Sequence, residues 1–205
     1  MGILEDKGRA RTFYKYLSKV YDTVNPVFWN EEMRGRALDL IEIESDDKVL
    51  DIGCGTGFAT QGLIKHSSNV HALDQSEHQL EKALQKDGLD QVNFVRGDAE
   101  QLPYPDNEFD VIWSSGSIEY WPQPVETLRE ARRVTRDGGT ILVVGPKRPD
   151  SRVLASLADA IMLFYDEDEA ARMFDEAGWS NIENHLMGSD WVDDDAIVTT
   201  AVAKK

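Results

Sequence analysis

From residue 48 onward, short apolar runs alternate with longer stretches whose apolar positions recur at helical spacing. "KVLDI" (48–52) is an apolar run stopped by Gly53, and "FATQGLIKH" (58–66) reads as a helix. "NVHALD" (69–74) predicts a second strand, and "SEHQLEKALQKD" (76–87) a helix capped by its serine. "VNFVRGD" (92–98) and "FDVIWS" (109–114) predict strands. "PVETLREARRVT" (124–135) predicts a helix ended by Asp137-Gly138-Gly139, with the strand "TILVVGP" (140–146) after it. Strands alternating with helices imply parallel pairing in a doubly wound α/β sheet.

The flanks differ from this centre. Two helices are expected before residue 45, over 11–21 and 31–43. After Pro149 come an apolar helix (151–165), an amphipathic one (166–179) and two strands, near 181–187 and 196–203. No repeat or low-complexity linker interrupts the chain. One domain is expected: a helical extension (1–45), a central core (46–147), and C-terminal helices with a strand pair (148–205).

Composition narrows the partners. The chain has 205 residues, enough for one sizeable core, and 41% of them are hydrophobic, a globular rather than disordered proportion. A formal charge of −16 argues against nucleic-acid binding, which needs clustered Lys and Arg. Such acidity also resembles that of proteins from salt-rich cytoplasms. No run is long and apolar enough to span a bilayer, and the N-terminus lacks a signal peptide's apolar core, so a cytoplasmic location is expected. Cys54 is the only cysteine, and no Cys/His cluster suggests a metal. Against this acidity, Lys7, Arg9, Arg11, Lys15 and Lys19 run without an acid until Asp22, interleaved with Phe13, Tyr14, Leu17, Val20 and Tyr21. Two readings of that helix stand: packed on the domain with its charges in water, or in peripheral contact with a membrane face.

The chemistry concentrates after the first strand. "VLDIGCGTGFAT" places Gly53, Gly55 and Gly57 where a strand turns into a helix, letting a ligand approach the backbone. Asp74 ends the second strand, where a carboxylate can accept from ribose hydroxyls. The dinucleotide fingerprint fails, because Phe58 stands where its third glycine belongs; a P-loop fails, because Leu63 follows Gly62. No basic residue lies between Val49 and Ile64 to hold phosphate, and Asp51 adds negative charge. The turn suits a ligand with a ribose, no phosphate and positive charge. S-adenosylmethionine, with its sulfonium and ammonium, fits.

With the later Gly97-Asp98-Ala99, these residues resemble the class I S-adenosylmethionine-dependent methyltransferases. That resemblance implies a Rossmann-like seven-stranded sheet whose last strand is antiparallel. It also assigns residues. Asp51 and Gly53, Cys54, Gly55, Thr56 and Gly57 would face the methionine portion. Asp74, with Gln75, would meet the ribose, and Asp98 and Ala99 the adenine. Ser114 or Ser115 would line the pocket, and Thr60 stands where related quinone methylases carry a ligand-contacting threonine.

Finer stretches sharpen the likeness. "YDTVNPVFWNEEMR" (21–34), "LDQSEHQLEKA" (73–83), "GDAEQLPYP" (97–105) and "SGSIEYWPQP" (115–124) resemble the family of plant 2-methyl-6-phytyl-1,4-benzoquinol and demethylmenaquinol methyltransferases. The implied reaction is methylation of a ring carbon on a prenylquinol, in benzoquinone or menaquinone synthesis. The plant members' transit peptide and C-terminal anchor have no counterpart in the sequence, so stable membrane insertion is not expected. The stretch "SGSIEYWP" then reads as a pocket wall: small where the cofactor passes, with one carboxylate to meet a phenol. The alternative is a loop whose rings fill the core. Candidate bases are Glu119, Tyr120 and His78, and candidate substrate contacts are Tyr21, Trp29 and Trp121, the last stacking on the quinol ring. Cys54, His66, His71 and His185 read as structural. Two other functions stay open: methylation of a different hydrophobic acceptor, phenolic or sterol-like, and cofactor binding without catalysis. Monomer and homodimer are equally compatible with the sequence.

Overall fold

The structure, a computed structural model, describes residues 30–148, 165–189 and 192–204. The expected helix at 11–21, Tyr21 and Trp29, and all of the expected helix at 151–165 except Tyr165 lie outside those residues.

Seven strands form one sheet in the order β3-β2-β1-β4-β5-β7-β6. They are β1 (Lys48–Ile52), β2 (Asn69–Asp74), β3 (Asn93–Arg96), β4 (Phe109–Ser115), β5 (Thr135–Pro146), β6 (Trp179–Ser189) and β7 (Val192–Ala203). The first five are mutually parallel, whereas β7 runs antiparallel between β5 and β6. The expected architecture, including the single antiparallel last strand, is therefore present. Chain order reverses between β1 and β4, which makes the carboxyl ends of these strands the place for a ligand.

β1 reads as an apolar run because both its faces are covered: Val49, Leu50 and Ile52 are completely buried. Two apolar clusters flank the sheet. One gathers Leu50, Ile52, Phe109, Ile112, Leu128 and Phe174; the other gathers Met33, Leu63, Val70, Trp113, Leu142 and Val198.

Helix boundaries depart from the sequence pattern for local reasons. α1 (Glu31–Leu38), capped by Asn30 Oδ1 accepting from the Met33 N–H at 2.9 Å, stops short of 43. Leu40, Ile41 and Ile43 instead pack on the core from the non-helical chain that leads into β1. α2 is a single turn (Thr60–Leu63), because Phe58 is spent on the turn after the glycines. α3 (Glu77–Ala83) has the serine cap expected of it, Ser76 Oγ accepting from the Gln79 N–H. α4 (Pro124–Val134) is not ended by the glycine pair: Thr135 is already extended and pairs with Phe109. The glycines lie in the irregular stretch before pairing resumes at Val111 and Thr140. α5 (Glu167–Glu176) opens with a reciprocal Asp166/Glu169 capping box. Trp179, expected to close that helix, begins β6, and its indole N–H donates to the Leu128 carbonyl at 3.0 Å.

Candidate functional site

The glycine turn is tied to the end of β2. Gly53 and Cys54 N–H both donate to the Leu73 carbonyl, at 2.8 and 3.1 Å. Gly55 N–H donates to Asp74 Oδ2 at 2.9 Å, and Ser76 N–H to Asp74 Oδ1 at 2.8 Å. Gly53 has φ 74°, the left-handed region that glycine adopts without strain. It also needs to be bare, since a methyl group there would collide with the Ser117 side chain. The glycine turn and the "SGSIEYWP" loop are therefore in contact, though 64 positions apart by number (117 − 53).

Asp51 lies under that turn. It is 1% exposed, its Oδ2 accepts from Thr60 Oγ1 at 2.6 Å, and its Oδ1 has no partner among the described residues. Burial, reinforced by the neighbouring charge of Asp74 and opposed by the Thr60 hydrogen bond, pushes its pKa up to about 7. Burial likewise raises Asp74, against the pull of the two N–H donors it receives. Two carboxyl groups whose charged forms burial disfavours suit a ligand that brings positive charge. S-adenosylmethionine fits this test. The unpartnered Asp51 oxygen and the open space over Gly55 would take its charged end, and the spare lone pairs of Asp74 its ribose. Thr60 is completely buried, with its hydroxyl spent on Asp51.

The remaining expected contacts divide. Cys54 is buried, and burial pushes its thiol well above the ordinary range, so it packs and does not react. Thr56 is half-buried, and its hydroxyl accepts from Lys86 Nζ at 3.4 Å, a cation near the turn that the sequence spacing conceals. Gln75 is exposed, with its carbonyl accepting from Arg96 Nε. Asp98 Oδ1 accepts from the Glu100 N–H at 3.0 Å, and Ala99 packs against the core. Ser114 is completely buried, its hydroxyl donating to the Ile52 carbonyl at 2.9 Å, so of the two serines only half-buried Ser115 stands at the strand's open end.

On the acceptor side, Ile118–Tyr120 forms one 3-10 turn directly after β4. Glu119 is 3% exposed, a carboxyl kept from water two residues after Ser117, which meets Gly53. Tyr120 is half-buried. His78 is exposed in the first turn of α3, after β2, with β1 between that strand and β4; the geometry favours Glu119 over it. Trp121 is 7% exposed within the core, its indole N–H donating to Ser117 Oγ at 3.1 Å, as the core-filling reading of this loop expects. Two residues escaped the sequence reading. Arg34 is 5% exposed, donates to the Phe58 carbonyl at 2.6 Å and lies over the Phe58 ring at 4.5 Å, fastening α1 to the glycine turn. Tyr165 is 2% exposed beside Ile118 and Gly145.

Residues 50–143 match the family described as "Methyltransferase domain". The fold also matches a chain of the complex between the Haloferax volcanii Trm112 methyltransferase activator and a methyltransferase. That match has a TM-score of 0.82 at 21% identity, over 96% of this chain and 98% of that one. A Haemonchus contortus phosphoethanolamine N-methyltransferase solved with S-adenosylmethionine matches with a TM-score of 0.73 at 16% identity, over 85% of this chain and 53% of that one. Residues 50–143 thus match a methyltransferase domain, and the fold is shared with solved methyltransferases, one of them holding S-adenosylmethionine. The chain is 46% identical to a rice chloroplastic 2-methyl-6-phytyl-1,4-hydroquinone methyltransferase, over 92% of this chain and 58% of that enzyme. It is 27% identical to a demethylmenaquinone methyltransferase of Staphylococcus saprophyticus, over 86% of this chain and 90% of that enzyme. The chain thus spans little more than half the length of the plant relative. These relatives support neither a cytoplasmic location nor a salt-adapted source for the acidity.

Proposed function

We propose that this chain methylates a ring carbon of a reduced, prenylated quinol. The carrying observation is the 46% identity to a 2-methyl-6-phytyl-1,4-hydroquinone methyltransferase, which extends over 92% of this chain. Bound S-adenosylmethionine supplies a methyl group on a positively charged sulfur, poised for attack by a carbon nucleophile. Asp51 and Asp74 hold and neutralise that cofactor. The backbone of the glycine turn shapes its seat, and Gly53 against Ser117 sets how near the acceptor loop comes. Glu119 takes the phenolic proton, which moves electron density onto the ring carbon beside the oxygen. As that carbon takes the methyl, the S–CH3 bond breaks and the thioether would leave neutral. The carbon then loses its own hydrogen as a proton to restore the phenol. Much of the acceleration comes from fixing the two reactants face to face. A quinone cannot serve, because its carbonyls withdraw the electrons that the attack requires.

The likeness to the demethylmenaquinone enzyme keeps a naphthoquinol ring as the second candidate acceptor. No helix among the described residues is long and apolar enough to cross a membrane. The basic, aromatic stretch 7–21 supplies peripheral contact with the bilayer that carries such a substrate.

The test is transfer of labelled methyl to 2-methyl-6-phytyl-1,4-benzoquinol and to demethylmenaquinol, each with and without dithionite. Transfer only to reduced rings supports the reading. Transfer that ignores redox state overturns the phenolate route, and bound cofactor without transfer to either ring overturns the acceptor class.

A further inference from the structure

Tyr165 carries a polar atom that the fold leaves unsatisfied. The residue is 2% exposed, and its hydroxyl has no hydrogen-bond partner among the described residues. Buried hydroxyls are ordinarily paired, and leaving one unpaired is unfavourable. Phenylalanine would fill the same volume without that penalty, so packing does not explain the oxygen.

The surroundings place that oxygen with care. Gly145, near the end of β5, has no side chain, and a methyl group there would collide with the Tyr165 hydroxyl and lie 2.5 Å from Ile118 Cγ2. The Tyr165 backbone is held on both sides. Lys147 bridges to it, Arg148 N–H donates to its carbonyl at 3.0 Å, and Asp166 directly after it caps α5. The Gly116 N–H donates to the Val144 carbonyl at 3.1 Å, stitching the loop that carries Glu119 to the same end of β5. The Tyr165 hydroxyl and Ile118, the residue before Glu119, thus meet over Gly145. Burial first, and then the Glu119 charge, pushes the Tyr165 phenol well above its ordinary value. At working pH it is a permanent donor and never a base.

We propose, resting on the quinol reading above, that Tyr165 is the hydrogen-bond donor that holds the acceptor's ring oxygen while Glu119 takes its proton. The oxygen gains negative charge as the proton leaves. A donor fixed in advance, out of water, stabilises that charge and orients the neighbouring carbon. Tyr165 keeps its own proton throughout.

Tyr165→Phe tests this in three measurements on the full chain. Without acceptor, the variant should melt at the same temperature as the wild type or higher. With S-adenosylhomocysteine bound, the wild type should prefer a reduced prenylquinol over its dimethyl ether by about tenfold, and the variant should lose that preference. In turnover, kcat/KM for the quinol should fall about 100-fold at unchanged cofactor affinity, the size seen for a lost oxyanion donor. That deficit should narrow as rising pH supplies phenolate directly. A lower melting temperature would overturn the premise that the hydroxyl is uncompensated. Equal preference and equal turnover in variant and wild type would overturn the role of Tyr165 and leave the quinol reading standing. A wild type that neither binds nor methylates either reduced ring would overturn the quinol reading, and this proposal with it.

Discussion

Thr60 Oγ1 donates to Asp51 Oδ2 at 2.6 Å, and this bond steadies the charged form of a carboxyl that burial, even against it, pushes up to about pH 7. The unfolded carboxyl loses its proton near 3.8, the folded one near 7, so between these values the folded chain holds more protons. The Asp51 contribution to stability is therefore greatest at low pH and falls as pH rises from about 4 to about 7. A cationic cofactor reverses the preference by favouring the carboxylate. Affinity for S-adenosylmethionine should rise between pH 6 and 8, with proton release on binding at the lower pH. Calorimetry in two buffers of different ionisation enthalpy measures both. Asp51→Asn should flatten the profile. Thr60→Val should shift its midpoint upward, because the donor that favours the charge is gone. A wild-type affinity that does not vary with pH would remove Asp51 from the cofactor site.

Asp74 does two jobs that one substitution separates. Its carboxylate accepts from the Gly55 and Ser76 N–H groups, fixing the turn, and still has lone pairs to spare for ribose. Asp74→Ala should weaken cofactor binding by about 1.5–3 kcal/mol and lower the melting temperature of the cofactor-free chain as well. Asp74→Asn keeps one acceptor oxygen and should recover part of the melting temperature but little of the affinity. Unchanged affinity in both variants would leave Asp74 a purely structural clip.

The centre of this fold was legible because its signals are local. The apolar runs of β1, β2 and β4 fell at their true positions, and the glycine turn and Asp74 identified the ligand class. What stayed hidden depends on contacts distant in sequence. Arg34 reads as one more surface charge on an amphipathic helix, and only tertiary packing lays it over Phe58. Tyr165 reads as the end of an apolar helix, and only the bare Gly145 beside it reveals the room made for its hydroxyl. Trp121 shows the limit of a local reading. An aromatic ring beside a predicted pocket resembles a stacking wall, but its N–H bond to Ser117 and its place in the core draw it inward. The Asp137-Gly138-Gly139 stop misled for a similar reason: pairing of Thr135 with Phe109 ends α4 before the glycines are reached.

Arg34 gives a prediction about rigidity. Its guanidinium donates to the Phe58 carbonyl and lies over the Phe58 ring, so one side chain couples α1 to the chain that follows the glycine turn. The flat, forked group suits both contacts, and an ammonium does not. Arg34→Lys should destabilise the chain by roughly 1–3 kcal/mol, the range for a lost charge-assisted bond. Cofactor affinity should fall with it, since Phe58 abuts Gly57 at the end of the turn. Thermal melts with and without S-adenosylmethionine read both effects. A variant with wild-type melting and affinity would show that α1 is anchored elsewhere.

Glu119 gives the sharpest separation of binding from chemistry. Glu119 is 3% exposed, in the 3-10 turn that follows β4 after Gly116 and Ser117, the latter abutting Gly53. Burial of an ionisable group at such a junction is unfavourable in itself and is retained where proton transfer needs a water-poor base. Glu119→Gln preserves shape and removes the basic oxygen. Turnover on the reduced quinol should fall by about 100- to 10,000-fold, the usual contribution of a positioned base, while S-adenosylmethionine affinity stays within twofold. The loss should appear in kcat more than in KM, because the proton moves only as the transition state forms. Raising the pH should restore part of the rate, as phenolate forms without help, and His78→Ala should change none of this. Wild-type turnover in Glu119→Gln would place the base elsewhere, with half-buried Tyr120 the next side chain to replace.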